Sequence, residues 1–285
     1  MNTVNTLMTL GLREIWEHPN LVWRLPVGLL VINVTLALLS MVFGLNYLGS
    51  ADLNLSLQTD VNIADGPAEA VATFFCLAFF LMGQLVVLSY LLGALFQERK
   101  DRSILFWKSL PVSDLEVVLS KLLTGVVLIP LVYLLIGFIT FLMVALVLWM
   151  GLSSFVEELV SGPSLLSAGV LVVGDWLFVT LKQMWWGLPI FLWILLVSSV
   201  ARSQPLFWAL GLPLVGLLIE SSLFSQTVVS SWFWAHAQPL PLAAGFDHAE
   251  LLGGPMIGPD SVLSGVVALV LGALTMLGRR YCNEI

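Results

Sequence analysis

The sequence predicts an all-α integral membrane protein, and three observations support that fold class. Of its 285 residues, 59% are hydrophobic and only 10% are charged, whereas about a quarter of the residues are charged in an ordinary soluble domain. Several uncharged stretches reach the ~20 residues that a helix needs to cross a bilayer. These stretches are uninterrupted, which argues against the alternating polarity of a membrane β-barrel. Helices are required because backbone polar groups find no water in lipid.

Six membrane-spanning helices are predicted. They lie near residues 25–48, 69–96, 118–150, 183–201, 205–224 and 260–278. The fourth is placed between an anchor of Lys182, Trp185 and Trp186 at one end and Arg202 at the other. The apolar run 165–181 before it is expected to lie flat or to dip into the membrane, and a start near Val170 is left open as an alternative.

The orientation of the chain is predicted from its positive charges. With the N-terminus inside, ten of the eleven Lys and Arg residues face the cytoplasm and only Lys182 lies outside. Both termini and residues 97–116 are therefore expected in the cytoplasm, and residues 49–68 and 225–259 outside. Residues 225–259 are expected to form short interfacial helices. The whole chain, 1–285, is predicted to be a single transmembrane domain.

The first 24 residues are predicted to include an amphipathic helix on the inner membrane surface. Within 5–24, apolar residues are expected to face lipid and charged residues to face water. The lipid-facing set is Leu7, Leu10, Ile15, Trp16, Leu21, Val22 and Trp23, and the water-facing set is Arg13, Glu14, Glu17 and Arg24. Pro19 should interrupt this helix, so a break is expected at His18.

The most charged part of the chain, residues 97–121, has an apolar and aromatic centre at 104–107. Asp101 or Ser103 is predicted to cap a short helix from residue 104 to about 110, and Pro111 should end it. A capping-box pattern, Ser113 to Glu116, then starts the third span. Ile104, Trp107 and Leu110 share one helix face and Phe106 lies beside them, which predicts a knob for a groove in a partner protein.

This loop resembles the cytoplasmic loop of type-2 ABC exporter permeases. The resemblance rests on Glu98-Arg99, Ser103-Ile104, Pro111-Val112-Ser113, Glu116 and Lys121 at the family's spacings. Residues 13–17 are also similar to the family's connecting helix, and six spans with both ends inside match as well. Two positions depart from the pattern: Arg102 stands where the family often has Gly, and Leu105 where it often has Glu.

The resemblance implies a permease subunit of a bacterial ABC transporter, an exporter in the cytoplasmic membrane. It would work as a dimer with a second copy or a close homologue, on two separate ATP-binding-cassette subunits. ATP and Mg²⁺ would bind those subunits and no cofactor this chain, in which no lysine follows a glycine as a P-loop requires. The residues expected to couple the chain to the ATPase are Ser103, Ile104, Phe106, Trp107, Leu110, Pro111 and Glu116.

Polar residues within the spans are candidates for a substrate path or gate, since intramembrane polar groups tend to be functional. They are Asn33, Gln84 and Glu220. Glu220 lies near the outer end of its span, so it is alternatively expected to reach the interface towards Lys182. The outer-loop residues His236, Asp247, His248 and Glu250 fit no metal template, and no metal site is predicted.

Two other function classes remain open from the sequence. An ATPase-independent secondary transporter or channel would often show inverted repeats or broken helices at the membrane midplane, and no such pair is evident. A non-transporting membrane scaffold is the second. An intramembrane enzyme would need clustered His, Asp or Glu at one depth, and no catalytic site is predicted. The net charge of −7 comes from the outer loops, so no nucleic-acid partner is expected.

Overall fold

Long helices account for nearly all of the chain that the computed structural model describes, which comprises residues 3–48, 67–104, 112–152, 162–223, 227–243 and 259–281. No strand occurs within these ranges, so the all-α prediction is confirmed there. The α-helices are α1 (Thr3–Glu17), α2 (Leu25–Leu48), α3 (Pro67–Ala94), α4 (Phe96–Lys100), α5 (Asp114–Leu123), α6 (Ile129–Leu152), α7 (Gly162–Trp186), α8 (Leu188–Val200), α9 (Pro205–Leu223), α10 (Val228–Ala237), α11 (Leu240–Ala243) and α12 (Pro259–Tyr281). Two π-helical turns are π1 (Asn20–Arg24) and π2 (Thr124–Leu128).

Five segments in the described residues are long and apolar enough to cross a membrane, and there are six if a bent pair of helices forms one span. The prediction of a membrane-embedded, multi-pass helical protein is therefore confirmed. Helix α3 is central and packs against α6, α7 and α8, while α2 packs on α6 and α12 on α8. Helix α9 stands apart from this bundle, and Ala209 is its one buried residue.

The fourth span differs from the single helix predicted over 183–201. Helix α7 already ends at Trp186, and α8 continues after a bend of 54°. With 13 residues, α8 is only ~20 Å long, too short for a hydrocarbon core of ~30 Å. The fourth crossing therefore needs part of α7 as well. The break falls at Gly187, two residues before Pro189, whose missing N–H removes one bond between the helices.

Both π-helical turns lie just before a proline. In π1 the N–H of Leu25 donates to the carbonyl of Asn20, so the next such bond, to Leu21, would have to come from Pro26, which has no N–H. The hydroxyl of Tyr133 donates to the Leu21 carbonyl instead, at 2.9 Å. The arrangement at π2 is the same, because this turn ends at Leu128 and a proline, Pro130, follows after one residue. The π turn before Pro26 therefore leaves the Leu21 carbonyl without a helical donor, and Tyr133 of α6 binds it.

A third proline joins α9 to its neighbour. Pro213 lies inside α9, and its missing N–H leaves the carbonyl of Ala209, four residues earlier, without its helical donor. The indole Nε1–H of Trp193 on α8 donates to that carbonyl at 3.1 Å. In a membrane an unsatisfied carbonyl is costly, so this bond fixes a helix that otherwise buries little of its surface.

Helix α1 ends at Glu17 and the chain breaks at His18, as predicted. Its exposed and buried faces differ in part from the prediction. Trp16 is 83% exposed, consistent with a lipid-facing residue, but Leu10 packs against Val117 of α5. Glu14, one turn further on, is only 3% exposed and does not face water. This corrects the predicted water-facing position, and the reason is a set of charged partners on other helices.

Candidate functional site

Charged side chains from four parts of the chain are buried together at one end of the bundle. We call them the charge network: Glu14 of α1, Glu98 of α4, Asp114 and Lys121 of α5, and Arg279 of α12. The end of the bundle that holds them is called the charged end. The opposite end, where α10 lies, is called the tryptophan-rich end. All members except the partly exposed Asp114 are at least nine-tenths buried.

Lys121 is the centre of the network. Its ammonium nitrogen lies 2.8 Å from Oε1 of Glu14 and 2.9 Å from Oε1 of Glu98, and the residue is 2% exposed. An isolated ammonium in such a place would be strongly destabilising. Two carboxylates compensate it, so Lys121 ties α1 and α4 to the start of the third span.

Arg279 extends the network to the last helix. Its Nη1 donates to Oε2 of Glu98 at 2.7 Å, and its Nε donates to Oδ1 of Asp114 at 3.0 Å. The close approach of α12 to α8 makes this reach possible. A Cβ on Gly278 would lie 2.6 Å from Oγ of Ser199, so the position has room only for glycine.

Glu14 has a second donor besides Lys121. The hydroxyl of Tyr90 donates to its Oε2 at 2.7 Å, and the Tyr90 ring packs edge-on against His18. Burial raises the pKa of the Glu14 carboxyl, but the charge of Lys121 and the hydrogen bonds from Lys121 and Tyr90 outweigh burial and hold the pKa below its ordinary value of 4.5. Glu14 is therefore ionised at neutral pH.

Arg99 and Ser198 hold the junction of α3 and α4 to α8. Nη2 of Arg99 donates to the carbonyls of Ser198 and Ala201, at 2.8 and 2.7 Å, at the C-terminal end of α8. A cation here also interacts favourably with the helix dipole. The Ser198 hydroxyl accepts the N–H groups of Leu95 and Phe96, where α3 breaks before α4. These two neighbouring residues of α4 therefore bind different helices. Glu98 binds α5 and α12, and Arg99 binds α8.

The network is electrically balanced where it is most deeply buried. Glu14 and Glu98 carry two negative charges, and Lys121 and Arg279 carry two positive charges. Removing one member of such a set leaves a buried charge uncompensated, which typically costs about 3–5 kcal/mol. The network therefore links α1, α4, α5 and α12 through one set of buried charges.

Of the predicted coupling residues, Ser103, Ile104 and Glu116 lie in the described part of the chain; Phe106, Trp107, Leu110 and Pro111 lie outside it. The predicted capping box is confirmed. The Ser113 hydroxyl accepts the N–H of Glu116 at 3.3 Å, and Oε2 of Glu116 accepts the N–H of Ser113 at 2.9 Å. Glu116 therefore has a local structural role at the start of the third span.

Ile104 differs from its predicted place on an exposed face. Its side chain is 2% exposed. The neighbouring Ser103 donates its hydroxyl hydrogen to the carbonyl of Glu98 at 3.3 Å. Ser103 therefore binds back to α4, and Ile104 is buried in this structure.

The three polar residues proposed for a substrate path do not come together. The amide of Asn33 donates to the Leu29 carbonyl of its own helix, and Gln84 is buried in α3. The Glu220 carboxylate accepts the N–H groups of Val229 and Ser230, both at 2.8 Å. It therefore holds the first turn of α10, which is a favoured place for an anion.

The predicted short helices of 225–259 are present as α10 and α11 in the described part of that range, and they build the tryptophan-rich end around His236. Its ring stacks on Trp186 with 4.0 Å between ring centroids and lies 4.3 Å from Trp232. Nδ1 is 2.8 Å from the Trp232 carbonyl and therefore donates to it, and Nε2 lies 2.8 Å from the Ser264 hydroxyl. His236 thus joins α10 to α7 by ring stacking and to α12 by a hydrogen bond.

The sequence does not predict the charge network. Glu98 and Lys121 are positions of the loop motif, and Lys121 and Arg279 are two of the cations that predict the orientation. One signal could have identified Lys121. It lies within an apolar helix that begins at Asp114, and a lysine inside such a span is expected to have an acidic partner. The identity of that partner depends on which helices pack together.

Three comparisons with known proteins give no match: no family model, curated protein or solved structure is similar to this chain.

Proposed function

We propose that the chain is the transmembrane permease subunit of a bacterial ABC transporter, an exporter of the type-2 family that it resembles. It would lie in the cytoplasmic membrane with its charged end inside. Two copies, or one copy and a close homologue, would form the translocation path, and two separate ATP-binding-cassette subunits would drive it through residues 97–116. The chain's own sequence contains no P-loop, so ATP and Mg²⁺ would bind those subunits.

One observation carries the proposal. The segment from Phe96 to Ile104, which leads into the predicted coupling loop, is held to three other helices, α5, α8 and α12, by Glu98 and Arg99. A loop that only turned the chain round would have no need of buried ion pairs to α5 and α12. A loop pushed by a motor would need them, because its displacement has to reach the spans.

The experiment tests the aromatic residues of the loop. Replacing Phe106 and Trp107 together with Ala should release the ATPase from the purified complex, or separate ATP hydrolysis from transport. Buried aromatic anchors typically cost about 2 kcal/mol or more on truncation, roughly a thirtyfold loss of affinity. Copurification of the ATPase subunit with the tagged chain measures this loss.

A matched control is provided by the same two residue types in α9. Phe207 and Trp208 are exposed on the side of a predicted span, so the F207A/W208A variant should keep the ATPase. If both double variants retain the ATPase and transport like the wild type, the loop aromatics are only membrane anchors and the proposed coupling role is lost.

The bend between α7 and α8 favours a second candidate, an ATPase-independent secondary transporter, because such proteins use broken helices. Inverted-repeat transporters are expected to show a break in each half, and the described residues contain one bent pair. The dependence of transport on ATP distinguishes the two candidates. Transport by the reconstituted chain alone, driven by an ion gradient, would support the secondary transporter and contradict the ABC assignment.

A further inference from the structure

A groove opens between α8, α9 and α12 at the charged end. Its volume is about 770 Å³, which is large enough for part of a lipid chain. Along α9 it extends from the turn before Pro205 to Leu212, about 10 Å at the helical rise, or a third of the ~30 Å hydrocarbon core. The walls are formed by apolar side chains, including Leu196, Val197, Val200, Leu274 and Leu277.

Polar and cationic groups lie at the mouth of this groove. Arg202 and Ser203 belong to the turn between α8 and α9, and Tyr281 is the last residue of α12. The guanidinium carbon of Arg280 is 5.9 Å from the centre of the Tyr281 ring. Arg202 is exposed and forms no ion pair with the described residues, and none of the described residues that line the groove is acidic. A guanidinium and a hydroxyl are suited to a phosphate group.

A second groove on the other side of α9 provides a comparison. Its volume is about 670 Å³ and its walls are also apolar, with Leu92, Leu210 and Leu214 among them. The polar residues that line it are the uncharged Gln97 and Gln204. The two grooves therefore differ mainly in charge, and the positive mouth of the first selects for a negative headgroup.

We propose that the groove between α8, α9 and α12 binds an anionic phospholipid, with an acyl chain along its apolar walls and the phosphate at Arg202 and Ser203. The lipid would come from the cytoplasmic leaflet if the orientation in the proposed function is right; the headgroup chemistry does not depend on that orientation. Ala201 and Gly278 line the groove; the Ala201 carbonyl accepts from Arg99, and Gly278 directly precedes Arg279 of the charge network. A bound lipid would therefore stabilise the charge network from its lipid-facing side.

The experiment uses the purified full chain without any ATPase, so its outcome is independent of the proposed function. Native mass spectrometry and thermal unfolding in detergent compare added phosphatidylglycerol with phosphatidylcholine. We expect one tightly retained phosphatidylglycerol and a higher unfolding temperature with that lipid alone. Arg202→Gln should weaken retention about fivefold, the effect of one cation near an anionic lipid.

Two further variants separate the groove from general surface charge. Arg24→Gln removes an exposed cation whose partner is Asn20, away from the groove, and should behave like the wild type. Val200→Trp should fill the groove and reduce retention while Arg202 is intact. Equal retention of both lipids by the wild type, or wild-type retention by R202Q, would overturn the proposal. A detergent-stable dimer that retains neither lipid would assign the groove to a second copy of the chain.

Discussion

The two ends of the bundle hold their helices together by different chemistry. At the charged end, Lys121 and Arg279 bind carboxylates of α1, α4 and α5, and all of these groups except the partly exposed Asp114 are buried. At the tryptophan-rich end, His236 is held by ring stacking and two hydrogen bonds. The charged end thus depends on a balance of charge that one substitution destroys. The other end depends on separate contacts that can be lost one at a time.

The partners at the charged end also come from more distant parts of the sequence. Arg279 and Glu98 are 181 residues apart, and Lys121 and Glu14 are 107 apart. At the tryptophan-rich end, His236 and Ser264 are 28 residues apart and His236 and Trp232 only four. The charged end therefore joins segments from the beginning, middle and end of the chain, whereas the other end fastens one short helix to its neighbours.

The largest expected effect follows from removing the central cation. Lys121→Met should lower the free energy of unfolding by about 3–5 kcal/mol, because Glu14 and Glu98 would lose the ammonium that compensates them. Thermal unfolding of the detergent-solubilised chain measures this. Lys100→Met is the control: Lys100 is exposed and its replacement should change little. An unchanged unfolding temperature for K121M would show that the network does not hold the bundle.

A double variant sharpens the same test. Glu98→Gln in the K121M background restores equal numbers of negative and positive charges in the buried set. The double variant should recover part of the stability that K121M loses. The losses in free energy of unfolding caused by K121M and E98Q should therefore not be additive. Additive losses would mean that Lys121 acts through packing of its aliphatic chain.

An intermediate effect is expected at the tryptophan-rich end. His236→Phe keeps an aromatic ring between Trp186 and Trp232 but removes both hydrogen bonds, which should cost about 1–3 kcal/mol because buried polar partners are left unsatisfied. Hydrogen exchange of the α10 amides reports the change locally. Ser264→Ala removes one of the two bonds and should give a smaller loss. If H236F exchanges like the wild type, the two hydrogen bonds of His236 are not needed to hold α10, and ring stacking and the bonds from Glu220 are sufficient.

The smallest effect is a difference in acid sensitivity. The pKa of Glu14 is lower in the folded chain than its ordinary value of 4.5, so ionisation of Glu14 stabilises the fold. This stabilisation is fully present above about pH 4.5. It is lost as the pH falls through the lower pKa of the folded chain. The groups around it are Lys121, Tyr90 and His18. Glu14→Gln should be less stable at neutral pH and should lose less stability on acidification. Parallel pH profiles for the two proteins would contradict the assigned shift.

Much of the fold was predictable because it depends on short-range rules. The second and third spans, the break at His18 and the capping box from Ser113 to Glu116 follow from apolar length, proline chemistry and local hydrogen bonds. The fourth span was predicted over 183–201 with a start near Val170 left open, and the structure has two helices there, α7 and α8, that meet in a bend of 54°. Hydropathy alone does not indicate where a bent helix enters the membrane.

The sequence by itself determined that this chain forms apolar helices, where most of them begin and end, and which segment carries the most charge. Each of those properties depends on residues within a few turns of one another. Only the tertiary structure decided that Glu14 is buried against Lys121, that Ile104 faces inwards, and that Arg99 binds the end of α8. A buried charge is compensated by whichever helix packs beside it, and that choice is made by the packing of helices far apart in the chain.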